Sequence, residues 1–325
     1  MNAPISNHNL APILSGFVHP RKTSRPPHLL WRGWLAILAA VFLAGTAGAQ
    51  IQTAGTLFVN LDATSQPAGV ATDITNTGTL GGYFESRNSA GAAVNGAIAT
   101  NNGVNGIQLS ASFVMQLRSA TNGPLIAPPA GLVGNNATAS IEVWALNPAV
   151  ATDECMVSWG RRGFAGQNMA FEYGYDGNLG AVTHTTAPDL AWDSLGGAPL
   201  NNYWHHLVYT YNGTNENVFV DGALVNSKAG AINIAANAGI MLGAQWTNNG
   251  VDISTAPALA TLALARVRIH DGALTPSQVF NNFSTEKALF IPAAIAPQFL
   301  TAAPVHRYSF NEPDTNDATG LLIRD

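Results

Sequence analysis

Two adjacent histidines, His205 and His206, stand in Tyr-Trp-His-His-Leu-Val-Tyr-Thr-Tyr (203–211), a run without formal charge. Such a pair invites a metal-binding or general-base reading. Its spacing argues against one. Neighbouring residues of a strand point to opposite faces, so two adjacent rings cannot chelate one ion. Packing or surface placement is the default for each. The Gly-x-Ser-x-Gly, His-Glu-x-x-His and phosphate-loop patterns are absent from the chain.

Recognition of a sugar needs an aromatic face for C–H stacking and planar polar groups for hydroxyls. Two turn-rich segments supply both types. Ala-Pro-Asp-Leu-Ala-Trp-Asp-Ser-Leu-Gly-Gly (187–197) carries Asp189, Trp192 and Asp193. Gly-Ala-Gln-Trp-Thr-Asn-Asn-Gly-Val-Asp-Ile-Ser (243–254) carries Gln245, Trp246, Asn248, Asn249 and Asp252. The expected ligand contacts are therefore Trp192, Trp246, Asp189, Asn248 and Asp252. Loop tryptophans also cap sandwich cores, which is the competing reading. Trp144, Trp159 and Trp204 lie inside apolar strand patterns and are assigned to the core. Arg161 and Arg162 in Gly-Arg-Arg-Gly could clamp an acidic glycan, but a charged hairpin turn explains them as well. Cys155, the one cysteine, sits in Cys-Met-Val-Ser-Trp and reads as a buried small hydrophobe.

The elements that position these residues are strands. Short apolar runs bounded by Gly, Asn, Asp and Pro recur from residue 55 to 270, among them Thr-Leu-Phe-Val-Asn-Leu, Ala-Ser-Ile-Glu-Val-Trp-Ala-Leu and Leu-Ala-Leu-Ala-Arg-Val-Arg-Ile-His. Many are apolar at both alternating positions, which suits a two-sheet sandwich better than a sheet with one wet face. Asp221-Gly222 is a two-residue hairpin signal. With the Asn212-Gly213 turn it predicts a three-strand meander over 203–225. Thr275-Pro276 is a good cap and first residue for a short helix over 275–283.

Trp204–His206 followed by Leu-Val-Tyr-Thr-Tyr-Asn-Gly-Thr-Asn-Glu-Asn-Val-Phe-Val-Asp-Gly resembles the signature of LamG-like jelly-roll domains, within the concanavalin A-like lectin/glucanase superfamily. Leu-Ala-Arg-Val-Arg-Ile-His-Asp-Gly-Ala-Leu-Thr-Pro-Ser-Gln-Val (264–279) is similar to the closing segment of that family. The resemblance spans about residues 55–287. It implies an all-β, antiparallel two-sheet jelly roll, and it leaves function open, because the superfamily contains lectins, adhesion modules, glycosidases and scaffolds. Its glucanase-like members carry acids as Glu-x-Asp-x-x-Glu on one strand, at the separation a retaining mechanism needs. None of the seven Glu here fits that pattern. Glu142 and Glu172 stand alone, and Asp153 and Glu154 are adjacent. Calcium is common in the superfamily. Asp62 and Asp73 are the candidate ligands, with Asp176 and Asp252 in similar Gly/Asn-rich surroundings, though no loop is densely acidic.

Residues 1–49 read as a signal peptide. Arg21, Lys22, Arg25 and Arg32 precede the apolar run from Trp34, which ends in Ala47-Gly48-Ala49 and predicts cleavage before Gln50. The run is shorter than the roughly 20 residues of a membrane span. That segment holds four of the 14 basic residues and none of the 19 acidic ones, so the remainder carries 10 against 19, a net charge of −9. An acidic exported chain has no electrostatic footprint for nucleic acid. After the jelly roll at 50–287, residues 288–304 read as an Ala/Pro-rich linker. Residues 305–325 resemble the opening of a second, truncated module. Asn136, Asn212 and Asn282 match the glycosylation sequon. The expected function is a secreted or cell-surface recognition module for polysaccharide or another glycan. The alternatives are a structural or adhesion module that binds another surface protein and, more weakly, a glycan-active enzyme.

Overall fold

The computed structural model describes residues 50–291, apart from 187, 194, 196 and 255–258. The expected signal peptide at 1–49, all but the first residues of the expected linker, and the segment at 305–325 read as a second module lie outside the described residues.

Two antiparallel sheets face each other. Sheet one runs, in spatial order, β15 (Ala223–Ala229), β14 (Asn215–Val220), β13 (Trp204–Tyr211), β9 (Ala139–Leu146), β20 (Ala263–His270), β6 (Val104–Gln108), β5 (Gly96–Asn101) and β2 (Gly69–Ala71). β1 (Leu57–Asp62) shares the β6 side of β20, pairing with its second half while β6 pairs with its first. Sheet two runs β12 (Val182–Thr183), β11 (Asn168–Glu172), β10 (Cys155–Gly160), β17 (Met241–Leu242), β7 (Val114–Arg118), β4 (Tyr83–Arg87) and β3 (Asp73–Thr75). Two short pairs lie outside the sheets: β8 (Gly134–Asn135) with β16 (Asn233–Ile234), and β18 (Gln245–Trp246) with β19 (Ile253–Ser254). A single α-helix, α1 (Pro276–Phe290), and a 3-10 turn at Ala130–Leu132 are found among the described residues, and no helix there is long and apolar enough to cross a membrane.

The main core lies between the sheets and takes alternate residues of each strand. Leu207, Tyr209 and Tyr211 of β13 point into it, with Ile141 and Val143 of β9 and Met115 and Leu117 of β7. β9, β13 and β20 are buried along almost their whole length because their other face, which carries Ser140, Glu142, His206, Arg268 and His270, is covered too. There α1 lies across sheet one, presenting Val279, Asn282, Glu286 and Phe290 from one side of the helix. Phe290 stacks on Trp144 with ring centroids 4.0 Å apart and planes 7° apart. The outer face of sheet two is covered in part by the β18–β19 hairpin, where Trp246 packs with Val114 and Met241.

The meander of β13, β14 and β15 forms as the sequence predicts. Val220 pairs with Ala223, leaving Asp221 and Gly222 as a two-residue turn with φ of 51° and 83°. Both lie in the left-handed region that Asp tolerates and Gly favours. The helix start is also as read. Thr275 caps Gln278 N, and Gln278 reaches back to the cap in a reciprocal capping box. The helix end differs. The sequence suggests a helix over 275–283 and a domain ending at 287, but α1 continues to Phe290. Burial of the Phe290 ring holds that last turn in place.

Candidate functional site

The residues expected to hold a ligand do not form one site. Trp192 is 3% exposed and Trp246 1%. Trp192 joins the main core, its ring 5.7 Å from Phe171. Trp246 anchors the β18–β19 hairpin and donates its Nε1–H to the Gly239 carbonyl at 2.7 Å. The stacking platforms expected at these two positions are therefore absent. An indole buries on the order of 150–250 Å² when covered, and each loop folds back onto a sheet to cover it.

The polar candidates mainly brace their own turns. The Asp189 carboxylate accepts from His184 N at 2.6 Å and Thr186 N at 2.9 Å, while its carbonyl accepts from Lys228 Nζ. Asp252 accepts from Asn249 Nδ2 inside the β18–β19 hairpin, and Asn248 is exposed at that hairpin's tip. Asp62 lies on sheet one and faces Arg266 at 3.0 Å, so a cation already meets its charge. Asp73 lies on sheet two beside the hydroxyls of Thr72 and Thr121. Asp62 and Asp73 share no partner, and among the described residues no group of three or more His, Cys, Asp or Glu gathers as a metal site. Arg161 and Arg162 stand at the β10–β11 turn, engaged with Gln167 and Ser254.

The isolated glutamates are buried and paired, a feature that their positions in the sequence do not reveal. Glu142 lies beneath α1, where it accepts from Asn282 Nδ2 at 2.8 Å and His270 Nε2 at 3.0 Å, with His206 Nε2 at 3.3 Å. Burial opposes its charge, but the two histidines and Arg268 outweigh that and hold its carboxyl well below the usual range. Glu286 of α1 completes the cluster by pairing with Arg266 and Arg268 and accepting from Trp144 Nε1. These groups lock the helix to the sheet and face no cleft. Glu172, under Gln245 and Thr183, is the opposite case: burial and the nearby Asp153 charge push its carboxyl well above the usual range.

The open surface lies elsewhere. The segment from His184 to Tyr203 folds along β15 and the start of β13, and three clefts adjoin there. The first, about 490 Å³, is lined by Asn178, Asp189, Asp193, Asn226 and Lys228 among others. It shares Asp193 with the second, about 510 Å³, where Trp192, Leu200, Val220 and Val225 supply an apolar floor. The second shares Leu200 and His205 with the third, about 350 Å³, formed by Asn102, Tyr203, Trp204, Asp221, Phe290 and Ile291. Tyr203 is 60% exposed.

Local structure fixes the third cleft. Asn102, at the tip of the β5–β6 hairpin with φ 47°, donates its side-chain amide to the Asn202 carbonyl at 2.9 Å. Trp204 Nε1 donates to the Asn101 carbonyl at 2.9 Å. His205 bridges the other wall, with Nδ1 2.7 Å from Asp221 Oδ2 and Nε2 3.0 Å from the Leu200 carbonyl oxygen. Asp221 also accepts from His206 N at 2.9 Å. The adjacent histidines thus split across the strand as their spacing requires, His206 under the helix and His205 at the cleft. Sequence reasoning passed over Tyr203. The signal available was strand alternation: Trp204 is core, so its neighbour just after the Asn201-Asn202 turn faces outward.

Residues 119–280 match the family model Laminin_G_3, described as Concanavalin A-like lectin/glucanases superfamily. Residues 119–280 belong to that superfamily. The first two clefts are built wholly from residues inside the matched span. The third draws Asn102, Phe290 and Ile291 from outside it. No curated protein matches the sequence significantly.

The similar solved structures are distant. Domain 4 of a GH43 extracellular arabinanase from Geobacillus stearothermophilus, in complex with arabinotriose, is 16% identical with a TM-score of 0.44, covering 70% of this chain and 98% of that one. The binding domain of Paraclostridial Mosquitocidal Protein 1 is 15% identical with a TM-score of 0.42, covering 70% and 52%. Trypanosoma rangeli sialidase in complex with 2,3-difluorosialic acid is 13% identical with a TM-score of 0.43, covering 80% and 40%. The chain spans about half or less of the latter two proteins.

Proposed function

We propose that this superfamily domain is a non-catalytic recognition module, exported by its leader, that binds an extended glycan along the three adjoining clefts. The observation that carries the reading is Tyr203: an exposed aromatic ring beside Asn102, Asp221 and His205, opening onto two further depressions. The ring offers a face for sugar C–H groups. Asn102 and Asp221 offer a planar amide and a carboxylate for hydroxyls. A row of three depressions suits consecutive sugar units better than one small molecule. Asp189 and Asp193 share a cleft, but each carboxylate accepts two backbone N–H groups of its own turn. That use supports positioning of the loop over acid–base chemistry.

Affinity electrophoresis against a panel of neutral polysaccharides tests the reading, with Tyr203→Ala beside the parent chain. Retardation of the parent and its loss in the variant is the expected result. Retardation that Tyr203→Ala leaves intact rules out this site.

A second reading, an adhesion module that docks a protein, draws on exposed apolar residues near the same clefts: Leu195, Leu200, Leu224 and Val225. It expects no retardation on any polysaccharide and capture of a partner through the β15 edge.

A further inference from the structure

The charges around the clefts carry a statement about which glycans can enter. Each of the three depressions includes an aspartate. Asp189 and Asp193 line the first, Asp193 the second and Asp221 the third. Among the described residues, Lys228 is the one lysine or arginine that lines them, confined to the first cleft, where its ammonium donates to the Asp189 carbonyl at 2.8 Å. Among the described residues no arginine lines any of the three. His205 sits at the junction of the second and third, its Nδ1 beside the Asp221 carboxylate and its Nε2 on the Leu200 carbonyl. Both ring nitrogens face acceptors of the wall, so neither is turned toward the groove.

We propose that the groove selects glycans without acidic substituents and rejects uronate-containing or sulfated chains. The inference rests on the glycan-binding reading above and adds the chemical class of the ligand. A polyanion presents a charge on every unit or every other unit, so a bound chain would place one against each aspartate in turn. Bidentate recognition of a carboxylate or sulfate favours an arginine fork, and the described residues of the groove supply none. A neutral chain meets the same carboxylates as hydrogen-bond acceptors for its hydroxyls. Rejection therefore comes from the groups that provide recognition.

The net charge of the chain also repels polyanions, and two variants separate that general effect from the local one. Asp193→Asn keeps the Oδ1 that accepts from Leu195 N and Gly197 N while removing a carboxylate at the junction of two clefts. Asp252→Asn changes the net charge equally on the β18–β19 hairpin, away from the lining residues of all three clefts.

The test uses matched probes at low ionic strength: each neutral polysaccharide of the panel and its carboxymethylated form. The expected result is binding to a neutral polymer with loss on carboxymethylation. Asp193→Asn should raise the carboxymethylated-to-neutral affinity ratio by about fivefold, the effect of one charge at contact distance in water. Asp252→Asn should move that ratio far less. Equal or tighter binding of a carboxymethylated polymer overturns the inference and leaves the glycan reading standing. An equal response of the two variants also overturns it, since rejection would then belong to net charge. Binding to no polymer of either kind overturns the glycan reading itself.

Discussion

Replacing Phe290 by alanine tests how the third cleft and the end of the domain are held. Phe290 is 2% exposed, although it lies three residues beyond the boundary suggested by the sequence. Its ring stacks on Trp144 at 4.0 Å, meets Trp204 edge-on at 5.7 Å and lies 5.5 Å under the Arg266 guanidinium. Truncating a buried phenylalanine costs about 3–5 kcal/mol, lost transfer energy plus the cavity left behind. The stacked partner argues for the upper half, since aromatic pairs contribute about 0.5–1.5 kcal/mol beyond area. At about 2–4 °C per kcal/mol for a domain of roughly 150–250 residues, Phe290→Ala lowers Tm by about 6–20 °C. Calorimetry or circular dichroism measures this directly. Phe290→Leu, which keeps much of the apolar volume, falls between the two. A chain ending at Lys287 loses at least as much as Phe290→Ala. A drop of less than about 3 °C for Phe290→Ala would refute the argument that this ring fastens the last turn of α1.

Glu142 is held ionised by its histidine partners, so its folded carboxyl titrates below its unfolded value. The stability this contributes is present above about pH 4.3 and is lost as pH falls below that. Glu142→Gln, which keeps one acceptor oxygen and turns an NH2 on either His270 or Asn282, costs about 3 kcal/mol at neutral pH and flattens the acid limb of a stability-versus-pH curve from urea titrations. Glu172 behaves oppositely. Its raised folded titration means that stability falls as pH rises above the unfolded value of about 4.3. Glu172→Gln, which can keep the contacts to Gln245 and Thr183, raises Tm at pH 7, with the gain vanishing near pH 4; a loss at pH 7 contradicts the assignment. Thr185 holds φ 59° with its hydroxyl buried and unbonded among the described residues. Thr185→Gly relieves about 1–2 kcal/mol of left-handed strain against about 0.4–1 kcal/mol of added unfolded-state freedom. Tm therefore rises slightly, and a fall would show the turn to be unstrained.

Much of the architecture was legible because it rests on short-range signals. Asp221-Gly222 announced its hairpin, Thr275-Pro276 its helix start, and strand periodicity separated His205 from His206. The helix end was hidden because Ala288-Leu289-Phe290 runs without a break into Ala- and Pro-rich sequence. Only the long-range contact with Trp144 shows that Phe290 belongs to the core. The tryptophans misled for a related reason. Gly, Asp and Asn around Trp192 and Trp246 mark turns correctly, but both turns carry the indole inward, and burial depends on which sheet the loop folds against. Glu142 shows the same limit: its partners come from β13, β20 and α1, far apart in the chain. The candidate site was legible only at its edges. Asp189 does line a cleft, whereas Tyr203, Asn102 and Asp221 converge through three separate turns.

The most direct test of the account is the structure of the domain in complex with an oligosaccharide of the best-retained polymer. A sugar ring stacked on Tyr203, with hydroxyls within hydrogen-bond distance of Asn102 or Asp221 and the chain continuing past Leu200 toward Asp193, is the predicted result. A ligand seated elsewhere, such as on the β18–β19 hairpin, with Tyr203 bare to solvent, would contradict it.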